Sequence, residues 1–428
     1  MSLASNGAWR AFWNLGLRVA NAGFALLAIL LLRKVAPISD AADFVLALII
    51  IAIAVQLVAV PIGQDLIRAF ASGNPSSGFA AHLRVAFLRA LVAVAAIWVF
   101  GVLAAERLFP TRPELGLLLT MLLPTVITGT ISLVLGHGYA ARKNMLGFLV
   151  GQGMVNNLLS CSYLGAIWAG VGPQRFDAHI YLGLLVFTGA AVACGMILHQ
   201  RFSQLGAQAD SDRAPSPAWH IRSGALFSAT ALNTLVQQAP TLLIGMLSDA
   251  TFVVQFYIIQ RFAAQFALIS SSVSIQFVPD MMAAFAASQP ETSAGQVLAR
   301  YRSVNLGFGL AAVLAYAALC VTFLYLVTDA ALWPTTMLIV AFLFIPSGFA
   351  AICGIAGPTL VAARREWVLS LAFGANLGLI GLAFAANALL SPVGVVAAFG
   401  AAQLAAVAIQ YFYIRRYLHL DILLGPRT

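Results

Sequence analysis

The run FVLALIIIAIAVQLVAVPIG, residues 44–63, decides the fold, because it is uncharged over twenty positions and contains a single glutamine. A helix needs about 20 apolar residues to cross a hydrocarbon core about 30 Å thick. Eleven further runs of this kind occupy most of the 428 residues, and they are too long for barrel strands. We therefore predict an all-α integral membrane protein with about twelve transmembrane helices. The predicted spans are 12–32, 43–67, 85–105, 115–136, 146–169, 179–199, 223–246, 251–279, 303–327, 332–358, 367–387 and 392–414.

The composition excludes an ordinary soluble protein. Hydrophobic residues make up 61% of the chain and charged residues only 9%, and the mean hydropathy is +0.94. The first apolar run is long enough to span and lacks a signal-peptide cleavage site, so we expect it to be retained as a helix. Few residues are left for a separate soluble domain.

Two six-helix halves are predicted around a central cavity. Residues 201–222 are rich in polar residues and proline and read as a cytoplasmic linker. AFASGNP at 69–75 matches AFAASQP at 284–290, at equivalent places in the two halves, which favours an internal duplication. The predicted organisation is an N-terminal half at 1–200, the linker, a C-terminal half at 223–414 and a cytoplasmic tail at 415–428. Two repeats around a cavity are typical of transporters.

The distribution of basic residues predicts the orientation. Most of the 23 Lys and Arg residues fall on the side that holds both termini, which indicates that both termini are cytoplasmic. The opposite side holds Arg33, Lys34, Arg107, Arg112 and Arg175. We interpret the net charge of +9 as a topology signal and an attraction to anionic membrane lipids, and we predict no nucleic-acid binding.

Arg18 and Arg261 lie near the middle of apolar spans, whereas the 14 acidic residues lie at or close to span ends. An unpaired cation at bilayer depth costs at least ~2.5 kcal/mol, so such a residue normally faces a hydrated cavity. Snorkelling to the interface is an alternative for Arg18. It is less suitable for Arg261, which lies about 15 Å from the predicted span end. The sequence therefore predicts an anion site inside the membrane.

Polar side chains share helix faces with both arginines, and these residues are the candidate substrate-binding residues. They are Asn14, Arg18 and Asn21 in the first span, Tyr257, Arg261 and Gln265 in the eighth, and Asn233 and Gln237 in the seventh. For the amides, the alternative is hydrogen bonding between helices, worth about 0.6 kcal/mol on average.

The chain resembles the Wzx-type polysaccharide flippases of the multidrug/oligosaccharidyl-lipid/polysaccharide exporter superfamily. The resemblance lies in the twelve spans, in LLRKVAP at 31–37, and in FYIIQRFAAQ at 256–265 followed by VPDMMAAFA at 278–286. It implies a substrate consisting of an oligosaccharide linked by diphosphate to a polyprenol, moved from the cytoplasmic to the periplasmic leaflet. It also implies a bacterial inner membrane as the location. Alternating access is implied as the mechanism, with a proton or sodium ion as a candidate for coupling and a polymerase and glycosyltransferases as candidate partners.

Guanidinium binds phosphate oxygens as a fork, which suits a diphosphate. We expect Arg18 and Arg261, one from each half, to clamp it. One alternative is a cation- or proton-coupled multidrug exporter, for which only Asp65 and Asp43 come close to membrane depth. Another is a membrane glycan polymerase or ligase, which needs acids or bases in sizeable external loops. Widely spaced histidines, and cysteines without a C-x-x-C motif, predict no metal site, and no cofactor is expected. Short periplasmic loops without histidine and carboxylate pairs at catalytic spacing predict no enzyme activity.

Overall fold

The computed structural model describes residues 2–71, 79–141, 144–173, 175–205, 224–266, 277, 280–281, 284–285, 290–327, 333–386 and 391–422. Within these ranges the regular structure is helical. The helices are α1 (Ser2–Val35), α2 (Ile38–Ala71), α3 (Phe79–Leu103), α4 (Ala105–Leu108), α5 (Leu115–Ala141), α6 (Met145–Gly151), α7 (Met154–Trp168), α8 (Ala178–Leu205), α9 (Gly224–Leu247), α10 (Ala250–Ala264), α11 (Pro290–Val327), α12 (Trp333–Ile352), α13 (Ala356–Ala362), α14 (Glu366–Ala385) and α15 (Pro392–Tyr417).

The helices confirm a multi-pass helical membrane protein. Eight of those in the described ranges are long and apolar enough to cross a membrane, namely α1, α2, α3, α5, α8, α12, α14 and α15. Each of the twelve predicted spans overlaps at least one helix. Large apolar side chains face outward, with Val92 71% and Phe187 74% exposed. A lipid solvent accounts for this exposure, because apolar side chains need no burial against protein there.

Two predicted spans are interrupted by turns. The span 146–169 divides into α6 and α7, because Gly153 adopts a left-handed backbone with φ of +91° that a residue without Cβ adopts at little cost. The span 332–358 divides into α12 and α13 at a turn, where Gly354 N–H donates to the Ala351 carbonyl at 3.1 Å. Apolar composition alone did not reveal either break.

The chain divides into two compact units. One contains Gly16–Thr234 and Ser248–Val254, and the other contains Met1–Leu15, Leu235–Leu247 and Gln255–Thr428. Most of the linker predicted at 201–222 lies outside the described residues, as does much of both copies of the repeated segment. The boundaries of the two halves therefore stay a prediction.

In the unit that contains Gly16–Thr234, α5 is the central helix. It packs against α2, α3, α6 and α8. Ile62 of α2, Ala86 of α3, Val134 of α5 and Met196 of α8 belong to one buried cluster. These helices bury apolar side chains against one another although lipid surrounds them, because close packing supplies dispersion contacts.

In the other unit, α15 packs against α12 and α14. Gly400 of α15 makes this approach possible: a Cβ on Gly400 would lie only 2.3 Å from the backbone carbonyl oxygen of Phe342 in α12. Small residues at such crossings let two backbones come close, as is common between membrane helices.

We expect Gly400→Ala to destabilise the protein by about 1–3 kcal/mol, because the clash is with backbone and no flexible side chain can move away. The thermal unfolding midpoint of the detergent-purified protein is the measurement. The matched control is Gly374→Ala in α14, where an added Cβ meets nothing within 4 Å. Equal midpoints for the two variants would contradict the assigned packing of α12 on α15.

Candidate functional site

Arg261 lies in α10 and contacts Tyr257 one turn earlier. Arg261 Nη2 donates to the Tyr257 hydroxyl at 2.6 Å, and the guanidinium carbon lies 4.8 Å from the centroid of the Tyr257 ring. Tyr257 itself is buried, with 4% exposed. A ring face attracts a cation, and the hydroxyl fixes the orientation of the guanidinium. Tyr257 thus positions Arg261, and this contact uses one of five N–H groups.

Arg261 also lines a cavity of about 310 Å³ within its own unit. The polar lining side chains are Gln237, Gln238, Gln260, Arg261, Ser347 and Gln403, and the apolar lining comes from Ala263, Ala264, Leu343, Ala350, Ala351, Gly354 and Phe399. No carboxylate is among these described lining residues. Among the described residues Arg261 forms no ion pair, so its charge is available to an anion.

Gln260 of α10 bonds to α9 close to a proline, Pro240. Pro240 has no N–H to donate to the preceding turn. Nearby, Gln260 Nε2 donates to the Gln237 carbonyl at 2.7 Å, and the Thr241 hydroxyl donates to Gln260 Oε1. The side chain of Gln260 therefore joins α9 to α10 beside Arg261.

Gln403 of α15 and Ser347 of α12 complete the polar lining. Gln403 Nε2 lies 3.5 Å from Ser347 Oγ. Gln403 Oε1 is buried, and no hydrogen-bond partner for it exists in the described part of the chain. A buried acceptor without a partner is costly, so this oxygen is available to a hydroxyl of a bound molecule.

The other candidates in this region have different positions. Gln265 is buried, and its Nε2 donates to the carbonyl of Arg261 at 3.0 Å. It does not line the cavity, and neither does Asn233, one turn before Gln237 in α9. Of the eight predicted site residues, the structure thus brings Arg261 and Gln237 into one cavity and places Tyr257 in contact with Arg261.

Arg18 lies in the other unit. It is half-buried in α1, and its guanidinium carbon lies 5.9 Å from the centroid of the Phe148 ring of α6. The edge of that ring packs against His137 of α5, with centroids 5.6 Å apart. The side chain of Asn14 lies outside the described residues. The joint role of Arg18 and Arg261 stays a prediction.

Asn21 forms a hydrogen bond between two helices. Such a bond was the alternative to a role in substrate binding. Asn157 Nδ2 of α7 donates to Asn21 Oδ1 of α1 at 3.0 Å. A second bond joins the same helices, from the Cys161 thiol to the Phe24 carbonyl at 3.0 Å. We infer that Asn21 holds α1 against α7.

Asn21→Ala and Asn157→Ala are each expected to lower the free energy of unfolding by about 0.6 kcal/mol, with transport unchanged. Because both remove the same bond, the double variant should lose little more than either single one. Thermal unfolding of all three proteins measures this coupling. Fully additive losses, or a transport defect in Asn21→Ala alone, would return Asn21 to the substrate site.

A buried ion pair was not predicted. Arg112 Nη1 lies 3.2 Å from Asp43 Oδ1, and the two residues are 3% and 6% exposed. Asp43 stands near the start of α2, and Arg112 lies in the segment before α5. Next to Asp43, Phe44 packs on Phe176 and Tyr181, with ring centroids 5.8 Å and 5.5 Å away. The side chain of Asp65, the other candidate acid, lies outside the described residues.

Comparison with known proteins supports the fold assignment. No family model matches the chain, and no curated protein does. Among solved structures, the chain is similar to the MATE multidrug transporter DinF-BH (TM-score 0.68, 12% identity, 99% of this chain and 97% of that one). The chain has the helical fold of membrane transporters. It is also similar to an outward-facing multidrug resistance MATE family transporter of the MOP superfamily (TM-score 0.67, 12% identity, 96% and 95%). A third similar structure is the lipid II flippase MurJ in an inward closed conformation (TM-score 0.63, 13% identity, 93% and 87%).

Proposed function

We propose that this protein is a flippase of the MOP superfamily that moves a polyprenyl-diphosphate-linked oligosaccharide from the cytoplasmic to the periplasmic leaflet. The observation that carries the proposal is Arg261, a cation oriented by Tyr257 in a cavity whose other described polar lining residues are uncharged. Such a cavity suits an anion that also offers hydroxyl groups. The similarity to MurJ, described as a lipid II flippase, is consistent with a lipid-linked substrate.

The arginine supplies charge and geometry. Its guanidinium presents parallel N–H groups that match two phosphate oxygens, and charge-assisted bonds of this kind are stronger than neutral ones. The apolar part of the lining, which includes Leu343 and Phe399, lowers the local dielectric constant and so strengthens the attraction. The amides of Gln237, Gln238 and Gln403 donate to and accept from sugar hydroxyls without demanding a single geometry. The polyprenol stays in the bilayer.

Transport proceeds in this proposal by alternating access, in which the site opens to one leaflet and then to the other. Arg18, in the other unit, is proposed as a second phosphate contact during the cycle. A proton or a sodium ion is proposed to couple the cycle, and a polymerase and glycosyltransferases are proposed as partners. The proposed setting is a bacterial inner membrane with both termini in the cytoplasm.

The multidrug exporter of the same fold is the competing function. Binding an organic cation requires a membrane-embedded carboxylate. Asp43 already accepts a hydrogen bond from Arg112 inside the protein, which leaves it unsuited to a drug cation. The observation that favours a flippase is therefore the sign of the charge in the cavity. A glycan polymerase or ligase has no specific observation in its favour.

The test compares cells that lack the protein with cells that contain it. Lipid-linked oligosaccharide on each leaflet is quantified after surface labelling, and susceptibility to cationic drugs is measured in parallel. We expect the intermediate to accumulate on the cytoplasmic leaflet when the protein is absent, with drug susceptibility unchanged. Normal glycan export together with increased drug susceptibility would contradict the proposal and favour the cation exporter.

A further inference from the structure

A second cleft, of about 450 Å³, lies at the end of α1 in the unit that contains Gly16–Thr234. It is formed by the end of α1, the end of α7 and the segment before α8. Its lining residues are Lys34, Val35, Pro37, Ile167, Trp168, Arg175 and Phe176. The basic residues of this cleft belong to the side of the membrane that the sequence predicts to be periplasmic.

The walls of this cleft are held in place by backbone geometry and by aromatic contacts. Helix α7 ends in a tight turn, in which Gly170 has φ of +71° and Gly172 N–H donates to the Ala166 carbonyl at 3.1 Å. On the other wall, Phe176 packs on Phe44 and Tyr181, with centroids 5.8 Å and 5.9 Å away. The two walls are thus anchored independently of any ligand.

The described lining of the cleft contains two cations and no acidic residue. Lys34 and Arg175 are both exposed, and within the described ranges neither forms an ion pair. The nearest acid in sequence, Asp177, accepts from the backbone N–H groups of His179 and Ile180 at 2.8 Å and 3.2 Å. Asp177 therefore caps α8, and it is absent from the lining of the cleft.

The rim of the cleft is apolar and exposed. Trp168 is 67% and the neighbouring Val171 is 84% exposed. Tryptophan concentrates at membrane–water interfaces, where its ring meets acyl chains and its N–H meets water and headgroups. Two cations and an exposed tryptophan in one cleft thus match both parts of a phospholipid, the charged headgroup and the start of its chains.

We propose that this cleft binds the phosphate of an anionic phospholipid headgroup, with Lys34 and Arg175 contacting the phosphate and Trp168 contacting the glycerol and upper acyl region. A cation near an anionic membrane surface contributes about 1 kcal/mol, so each of the two residues should change lipid affinity about fivefold. The site is separate from the Arg261 cavity, and its function does not depend on the transported substrate.

The experiment is native mass spectrometry of the full-length protein, purified in detergent and incubated with equimolar phosphatidylglycerol and phosphatidylcholine. We expect the protein to retain phosphatidylglycerol preferentially. Lys34→Gln and Arg175→Gln should each lower that preference about fivefold, and the double variant should abolish it. Arg107→Gln is the matched control, because Arg107 is exposed on α4, is predicted on the same side, and is absent from the cleft.

Two results would overturn the proposal. The first is an unchanged preference for phosphatidylglycerol in the double variant, provided that its thermal unfolding midpoint equals that of the parent. The second is that excess inorganic phosphate displaces the bound lipid as effectively as excess phosphatidylglycerol does. This result would identify a site for a free anion. Lys34→Arg keeps the positive charge, so we expect this variant to keep the preference for phosphatidylglycerol.

Discussion

Arg261→Ala is expected to abolish transport while leaving the amount of protein in the membrane unchanged. A hydrogen bond to a charged group contributes about 1.5–3 kcal/mol, so losing a two-bond fork to phosphate lowers transport at least about 100-fold. The measurement is lipid-linked oligosaccharide on the cytoplasmic leaflet, compared at equal protein abundance. Arg261→Lys should recover part of the activity, because lysine keeps the charge and loses the fork.

The control for this substitution is Arg365→Ala. Arg365 is an exposed arginine that precedes α14 and is absent from the cavity lining, so its replacement removes the same charge outside the site. It should transport normally. Full activity of Arg261→Ala would contradict the anion site, and equal defects in both variants would indicate a general effect of net charge.

Asp43→Ala is expected to cause the largest loss of stability. It leaves the guanidinium of Arg112 buried without a countercharge, which costs about 3–5 kcal/mol when one partner of a buried pair is removed. The thermal unfolding midpoint in detergent should fall sharply. Glu106→Gln, at an exposed position on nearby α4, removes one negative charge and should change little.

Removing both partners should cost less than removing one. In a double variant of Asp43→Ala with Arg112→Met, no buried charge remains, so part of the lost stability should return. This double-mutant cycle separates the ion pair from the packing around it. If instead Asp43→Ala kept its unfolding midpoint but lost transport, Asp43 would be a functional carboxylate and the multidrug exporter would regain support.

The spans could be predicted because hydropathy is a local property of the chain. Helix breaks at Gly153 and Gly354 were not predicted, since glycine is also common inside membrane helices. The i, i+4 spacing of Tyr257 and Arg261 was enough to place them on one face, and the structure shows them in contact.

Contacts between distant helices could not be predicted. Gln403 and Ser347 reach the Arg261 cavity from helices far along the chain, and their orientation depends on how each helix is rotated. For the same reason, Asn21 resembled a cavity residue in sequence although it faces Asn157. Asp43 and Arg112, 69 residues apart, give no local signal of pairing.

The absence of a carboxylate from the described lining of the Arg261 cavity has an electrical consequence. Under the proposed function, Arg261 gives the described lining of the empty cavity one positive charge, and Arg18 adds a second when it contacts the phosphate, so the negative charge of a bound diphosphate is at most neutralised. Moving one elementary charge across the membrane changes its free energy by about 2.3 kcal/mol per 100 mV of membrane potential. Because the arginines return with the empty carrier, the net charge moved outward in each cycle is that of the diphosphate, and a potential that is negative inside assists this movement. The resting voltage of the cell could then drive a whole transport cycle in one direction.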